Sequence, residues 1–369
     1  MIISHVVSEW RDQLAASLND MRAFNKRMKR RFRNSAGGTA LRVASRRLAI
    51  RRAAAELSPI RTLPAIAADA VTVVACMRDE ALRLPDFLRH YRGLGAARFI
   101  LIDNGSKDAS RDIALEAADV ELLRADGSYA GSMFGMDWVM AAIGRSGFGR
   151  WYVVADIDEL LVYDGCEQHT LAELANWLRS HGRLALPAMM LDMYGPLPIA
   201  KTHLLPGASM IDACPFFDTD YSADETEGQS PDARQRFIYY RGGPRLRTFS
   251  TPDRPFQGKL AKTPFMRWDA NALYLDPHIA FPYERNFLPT RGCLLHFKFI
   301  EDFHQRALAA IDHGEHWNGS LEYRRYREVI EQDPELTLFH HGSGRYRGSR
   351  SLVDAGLMPA VAWDARSTG

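Results

Sequence analysis

The stretch RWYVVADIDELLVYDG, residues 150–165, decides how this chain reads. An aromatic and apolar run leads into Asp156, Ile157, Asp158 and Glu159, and the chain then turns apolar again. Apolar runs of this kind mark a strand buried on both faces, as in a parallel sheet. Side chains two apart on a strand share a face, so Asp156 and Asp158 are expected side by side at its carboxyl end. That edge is where open α/β sheets bind ligands. Two carboxylates held close repel, and burying them unpaired is costly. A divalent cation that prefers oxygen ligands, Mg2+ or Mn2+, relieves both problems. The plainer reading of a bare D-x-D is a strand end with its acids in water or in salt bridges.

Working outward, VTVVACM (71–77) is a second buried strand, and EALRLPDFLRHYRGLG (80–95) an amphipathic helix closed by glycine. ARFILIDNGS (97–106) is a strand and its turn; a helix at 109–117, the strand VELLRA (120–125) and a helix at 135–143 follow. Alternating strands and helices predict an α/β fold, a mostly parallel sheet with helices on both faces. Residues 186–254 read as irregular, rich in Pro, Gly and Asp, with 222–235 as their most mobile part. GCLLHFKFI (292–300) reads as a strand, residues 301–331 as helical, and the tail from 349 says little. Residues 1–68 read as two helices interrupted at NSAGGTA (34–40). The expected organisation is a basic helical extension (1–68), a catalytic α/β domain (69–300) and a helical C-terminal extension (301–369).

The 369 residues are 46% hydrophobic and 25% charged, the composition of a folded globular protein. Residues 1–62 hold 14 Lys/Arg against 4 Asp/Glu, a balance of +10 that leaves −8 for the rest of a chain totalling +2. Much of it lies in NKRMKRRFR (25–33), either a solvated basic helix or a patch for an anionic membrane surface or acidic glycan. No aromatic interleaving accompanies it, so nucleic acid is not an expected partner. The four cysteines are scattered, which suits a reducing compartment. No signal peptide and no membrane-spanning run is read, so a cytoplasmic location is expected, with any membrane contact peripheral on the inner face.

Two further strand ends carry polar groups. Asp103 ends one in LIDNGSKD, and Arg78, Asp79 and Glu80 end another in VACMRDE. Three parallel strands that deliver such groups to one edge make the layout of a nucleotide site, although an Asx-turn explains Asp103 equally well. No GxGxxG or GxxxxGK[ST] is present.

Taken in order, VVACMRDEALRLPDFLRHYRGLGAARFILIDNGSKDAS, SYAGSMFGMDW and WYVVADIDELLVY resemble the family-2-like glycosyltransferases of the GT-A fold. The nearest group is a bacterial D-x-D-E branch related to the family-92-like enzymes. The resemblance continues through LDMYGP, CPFFD, GKLAKTPFMRW, PHIA and LLHFKFIEDFHQRA, and covers about residues 71–326. RDE stands where R-N-E is commoner, and LDPH where a serine-rich segment is usual.

What the resemblance implies is transfer of a sugar from a nucleotide-sugar, a UDP-sugar in the first instance, to a glycan or lipid-linked acceptor. Asp156 and Asp158 match the metal-binding D-x-D for Mn2+ or Mg2+, with Glu159 behind them. His296 matches the late metal-binding histidine, and His278 competes for that role. Arg78, Glu80 and Asp103 would line the nucleotide pocket, and Lys259 and Lys298 would reach the diphosphate. An inverting displacement needs a carboxylate to take the acceptor's proton; Asp192 is nominated, with Asp218 second. Two rivals stand beside this reading. One is a degenerate glycan- or nucleotide-binding module without turnover, the other a nucleotidyltransferase, which usually carries a glycine-rich basic loop that ACMRDEALRLP lacks.

Overall fold

The computed structural model describes residues 35–227, 236–253, 258–313 and 317–363. The basic cluster at 25–33 and residues 228–235 therefore lie outside the described residues. In chain order the first half runs α1 (Ala36–Glu56), β1 (Leu57–Arg61), β2 (Thr72–Met77), α2 (Leu84–Gly93), β3 (Arg98–Asp103), α3 (Ser110–Glu116), β4 (Val120–Ala125), α4 (Met136–Ser146), β5 (Arg150–Val154), β6 (Glu159–Val162) and α5 (Leu171–Ser180). The second runs β7 (Ala185–Tyr194), α6 (Met210–Ala213), β8 (Phe216–Phe217), β9 (Ser222–Glu227), β10 (Arg236–Arg241), α7 (Gly243–Phe249), β11 (Ala261–Trp268), β12 (Leu273–Asp276), β13 (Ile279–Phe281), β14 (Gly292–Phe299), α8 (Phe303–His313), α9 (Trp317–Gln332), β15 (Gly344–Arg345) and α10 (Ser349–Asp354).

One mixed sheet organises the molecule, in the order β1-β4-β3-β2-β5-β11-β7-β14-β6, with β8 on β7 and β15 on β8. Strands β2 to β5 run parallel, the βαβ half that the alternating pattern predicts. β11 runs against both β5 and β7, while β14 lies parallel to β7. The two faces are sorted residue by residue. Val73, Ala75, Phe99 and Leu101 pack towards α2 and α5, and Val74, Ile100 and Ile102 towards α1 and α4. Both faces are dry, hence the unbroken apolar runs. The class is α/β with helices on both faces, as expected.

Three readings change. The helix α1 starts at Ala36, capped by the Ser35 side chain, which accepts from the Gly38 amide; the glycines read as an interruption lie inside it. β7, placed in the irregular middle, is a ten-residue strand buried throughout. The third concerns β5, which ends at Val154, so Asp156 and Asp158 sit in the turn to β6 rather than on one strand face. No helix among the described residues is long and apolar enough to cross a membrane.

Candidate active site

Strand register builds the site. His296 on β14 stands opposite Glu159 at the start of β6 on one side and Asp192 of β7 on the other. The Phe297 amide donates to the Asp158 carbonyl at 2.9 Å, which fastens the acidic turn to the same strand. Because β11 runs antiparallel, its first residues fall at the carboxyl end of β5, and that puts Lys262 beside the turn.

The two aspartates then part company. Asp156, whose side chain is 56% exposed, accepts from Lys262 Nζ on Oδ2 at 2.7 Å. Lys262 also donates to Glu159 Oε1 at 2.6 Å, and Glu159 Oε2 accepts the Asp156 amide at 3.1 Å. Glu159, fully buried, therefore locks the turn. Burial alone would lower the Lys262 ammonium's affinity for its proton, but Asp156 and Glu159 raise it above the ordinary lysine value. Asp158, 16% exposed, faces His296 instead, with Oδ2 3.4 Å from Nε2.

Behind His296 lies a buried carboxylate. Asp192 Oδ1 is 2.7 Å from His296 Nδ1 and accepts from Arg245 Nη2 at 2.6 Å. Burial raises the Asp192 carboxyl, yet Arg245 and His296 outweigh it and hold the group at about 2. Burial likewise opposes ionisation of Asp158, and His296, then Arg306 and Arg83, hold it well below the usual carboxylate range. For His296 burial favours the neutral ring, but Asp158 and Asp192 raise it above the ordinary imidazole value. Nδ1 also lies 2.7 Å from Arg245 Nη2, so Asp192 and Arg245 together hold the ring with Nε2 aimed at Asp158, the orientation that a metal-binding histidine takes with a carboxylate behind it.

Two of the expected ligands fit a divalent ion on this geometry. Asp158 and His296 offer an oxygen and a nitrogen across a gap that one ion about 2.1 Å from each would span. Asp156 already accepts from the Lys262 ammonium on Oδ2, and its side chain is half-exposed. Among the described residues no three His, Cys, Asp or Glu side chains form a ready metal cluster.

The remaining expectations divide. His278 is not brought to Asp158: its Nδ1 lies 3.0 Å from the Ala261 carbonyl, and burial, with the nearby Lys262 charge, lowers it to about 4. Lys259 pairs with Asp276 at 2.8 Å. The Lys298 ammonium lies over two rings of α9, 4.5 Å from that of Tyr323 and 4.7 Å from that of Tyr326, and 3.5 Å from Glu322. Neither lysine is directed at the acidic turn. Asp192 and Asp218 are each 1% exposed, and both are engaged. Asp218 accepts from Tyr194, from Arg247 at 3.1 Å and from His340 at 3.1 Å. A general base needs an open lone pair beside the acceptor; both oxygens of Asp218 already accept hydrogen bonds, whereas the contacts of Asp192 fall on Oδ1.

At this edge Met77 and Asp103 end adjacent strands in register, which brings the segments that carry Arg78, Glu80 and Asp103 to the same end of the sheet. Asp103 makes the Asx-turn, accepting the Ser106 amide at 2.9 Å, and also pairs with Arg111, whose Nε lies 3.1 Å from Oδ2. Glu80 takes both arms of Arg306, at 2.9 and 2.6 Å, and Arg83 takes both oxygens of Asp302, at 2.7 and 2.6 Å. Backbone strain gathers here: Asp79, Met133 and Phe134 have φ of 55°, 55° and 57°. Gly135 follows at +78°, where a Cβ would stand 2.7 Å from Cys76 Sγ. Sequence reasoning missed Lys262, Arg245 and Arg306. The signal for Lys262 was present in GKLAKT, one lysine beyond the one chosen.

No protein-family model matches the chain, and no curated protein sequence does. Among solved structures, glucosyl-3-phosphoglycerate synthase from Mycobacterium tuberculosis with Mn2+, UDP and glucosyl-3-phosphoglycerate is similar at 12% identity and a TM-score of 0.22, over 33% of this chain and 44% of that one. The same enzyme with Mn2+, UDP and phosphoglyceric acid gives 12% and 0.22, over 36% and 45%. The mannosyltransferase PcManGT from Pyrobaculum calidifontis, with GDP-Man and Mn2+, gives 16% and 0.23, over 43% and 46%. The chain thus spans less than half the length of each, and likeness at this level carries no weight for activity.

Proposed function

We propose that this protein is a metal-dependent GT-A-type glycosyltransferase. On this reading it moves a sugar from a nucleotide-sugar, a UDP-sugar first, to a glycan or lipid-linked acceptor, with inversion, in envelope or surface polysaccharide synthesis. The observation that carries the reading is the Asp158–His296 pair, backed by Asp192 and Arg245; Arg78, Glu80 and Asp103 would line the nucleotide pocket beside it. Asp158 and His296 would hold Mn2+ or Mg2+, which when bound supplies Lewis-acid neutralisation of the leaving diphosphate. Asp192 fixes the His296 ring, and Arg245 keeps Asp192 ionised. Glu159 and Lys262 hold the turn shut beneath them. Arg306 and Arg83 add positive charge around Asp158. The protein would act in the cytoplasm, at the inner membrane face if the basic residues 1–62 meet anionic lipid there.

The test is calorimetry with UDP and GDP, with and without Mn2+, followed by a screen of nucleotide-sugars for donor hydrolysis. Metal-dependent nucleotide binding with turnover of one donor is expected; no binding of either nucleotide in Mn2+ would remove the reading. One observation favours a second reading, a nucleotide-binding module without turnover: Asp192 and Asp218 are both buried in ion pairs. Tight binding without hydrolysis of any donor would select it.

A further inference from the structure

We propose that Glu322 is the general base of the transfer, the carboxylate that takes the proton of the acceptor hydroxyl. The inference rests on the function proposed above and concerns a residue of α9 not nominated from the sequence. A displacement with inversion needs an ionised carboxylate that an acceptor can approach, near the group that holds the leaving diphosphate. Asp192 and Asp218 are each 1% exposed, which closes both to an acceptor. The Glu322 side chain is 34% exposed. Arg245 Nη1 lies 3.7 Å from its Oε1 and Lys298 Nζ 3.5 Å, and the Tyr326 hydroxyl donates to the same oxygen. None of these three contacts occupies Oε2.

One guanidinium joins this carboxylate to the candidate metal site. Arg245 turns Nη1 towards Glu322 while its Nη2 lies 2.7 Å from His296 Nδ1. Glu322 therefore stands about the width of a guanidinium from the ring that is aimed at Asp158. Its second cation, Lys298, follows His296 by two residues on β14. Tyr323, next to Glu322, faces the acidic turn as well: burial raises the Tyr129 hydroxyl well above the ordinary phenol value, and Asp156, Tyr323 and Asp158 all add to the shift. Burial also raises the Glu322 carboxyl, but Lys298, then Arg245 and Tyr326, outweigh it and hold the group below the ordinary glutamate value. It is thus ionised at neutral pH. The step balances as a single displacement. Glu322 takes the hydroxyl proton while the acceptor oxygen bonds to the anomeric carbon; the bond from that carbon to the diphosphate breaks, and its electron pair leaves with the nucleoside diphosphate.

The experiment is hydrolysis, in Mn2+, of the nucleotide-sugar that the parent turns over fastest, compared in Glu322→Gln with and without sodium azide. Water takes the acceptor's place and needs a base; azide is already an anion and needs none. Glu322→Gln is expected to release nucleoside diphosphate about 10²- to 10⁴-fold more slowly than the parent, with Mn2+-dependent UDP affinity unchanged in calorimetry. Azide is expected to restore turnover in the variant and to yield the glycosyl azide, while the parent gains little from it. Should Glu322→Gln fail to fold, Glu322→Asp keeps a charge for Arg245 and Lys298 but withdraws the carboxylate by one methylene; slower hydrolysis that azide relieves is expected there too. Hydrolysis at the parent's rate in Glu322→Gln, or a loss that azide does not relieve, overturns the inference and leaves the proposed function standing. If the parent hydrolyses no nucleotide-sugar, the proposed transfer falls and the inference with it.

Discussion

Arg245 carries a charge almost out of reach of water, 6% exposed, and its nearest compensation is Asp192 at 2.6 Å. Removing one partner of a buried pair strands the other, at a cost of about 3–5 kcal/mol. Arg245→Met should therefore lower unfolding stability by that order in a denaturant titration. Loss of affinity for Mn2+ with UDP, measured under conditions where the variant is folded, should accompany it, since Asp192 would no longer be held against His296. His296→Ala and Asp158→Asn should each abolish metal-dependent UDP binding while the thermal transition persists. A different residue governs pH dependence away from the site. Burial raises the Asp137 carboxyl from 3.8 to about 6; Arg46 opposes the shift, and Glu56 adds to it. The protonated form is the one the fold favours, so this contribution is full below 3.8 and is lost as pH rises through about 6. Asp137→Asn should gain stability on the parent across that interval, and melting curves at a series of pH values would show a constant difference if Asp137 played no part. At this scale the acids were legible because they are adjacent in sequence. Their partners were not: Lys262 lies 106 residues from Asp156, and Arg245 53 from Asp192, separations at which nothing in sequence marks a pair.

Elements were legible where both faces of a strand are dry. Helix α5 went unread, although its cap is written in the chain. The Thr170 side chain accepts the Glu173 amide at 3.3 Å, and the Glu173 carboxylate accepts the Thr170 amide at 2.7 Å. Thr170→Ala should cost about 1 kcal/mol, readable as a shift in denaturation midpoint at unchanged slope. A loss below a few tenths of that would mean the cap is redundant here. β7 was not legible because the proline in its apolar run and the Asp192 near its end look like loop chemistry. What overrides them is tertiary: β11 and β14 pair with it on its two edges, and Asp192 finds its countercharge on α7. The turn between β5 and β6 escaped for a related reason. Periodicity extends a strand through Asp158, whereas Glu159, bonding back to the Asp156 amide, closes a turn.

Taken as a whole, the molecule joins its C-terminal helices to the sheet rather than hanging them from it. Phe303, Tyr326 and Leu338 are each at most 1% exposed and pack with Tyr194, Phe249 and Phe299. Burying each is worth about 1.5–3 kcal/mol, against a total stability of about 5–15 kcal/mol for a typical domain. A chain cut after residue 300 should consequently lack a cooperative thermal transition, and a sharp transition in calorimetry would show that the sheet stands alone. The clasp between Arg306 and Glu80 carries a consequence for biosynthesis. Its halves are 226 residues apart. A ribosome has therefore exposed Glu80 long before the arginine that clasps it exists, and a nascent chain stalled in that interval presents this carboxylate without its two-armed partner to whatever cations and chaperones surround it.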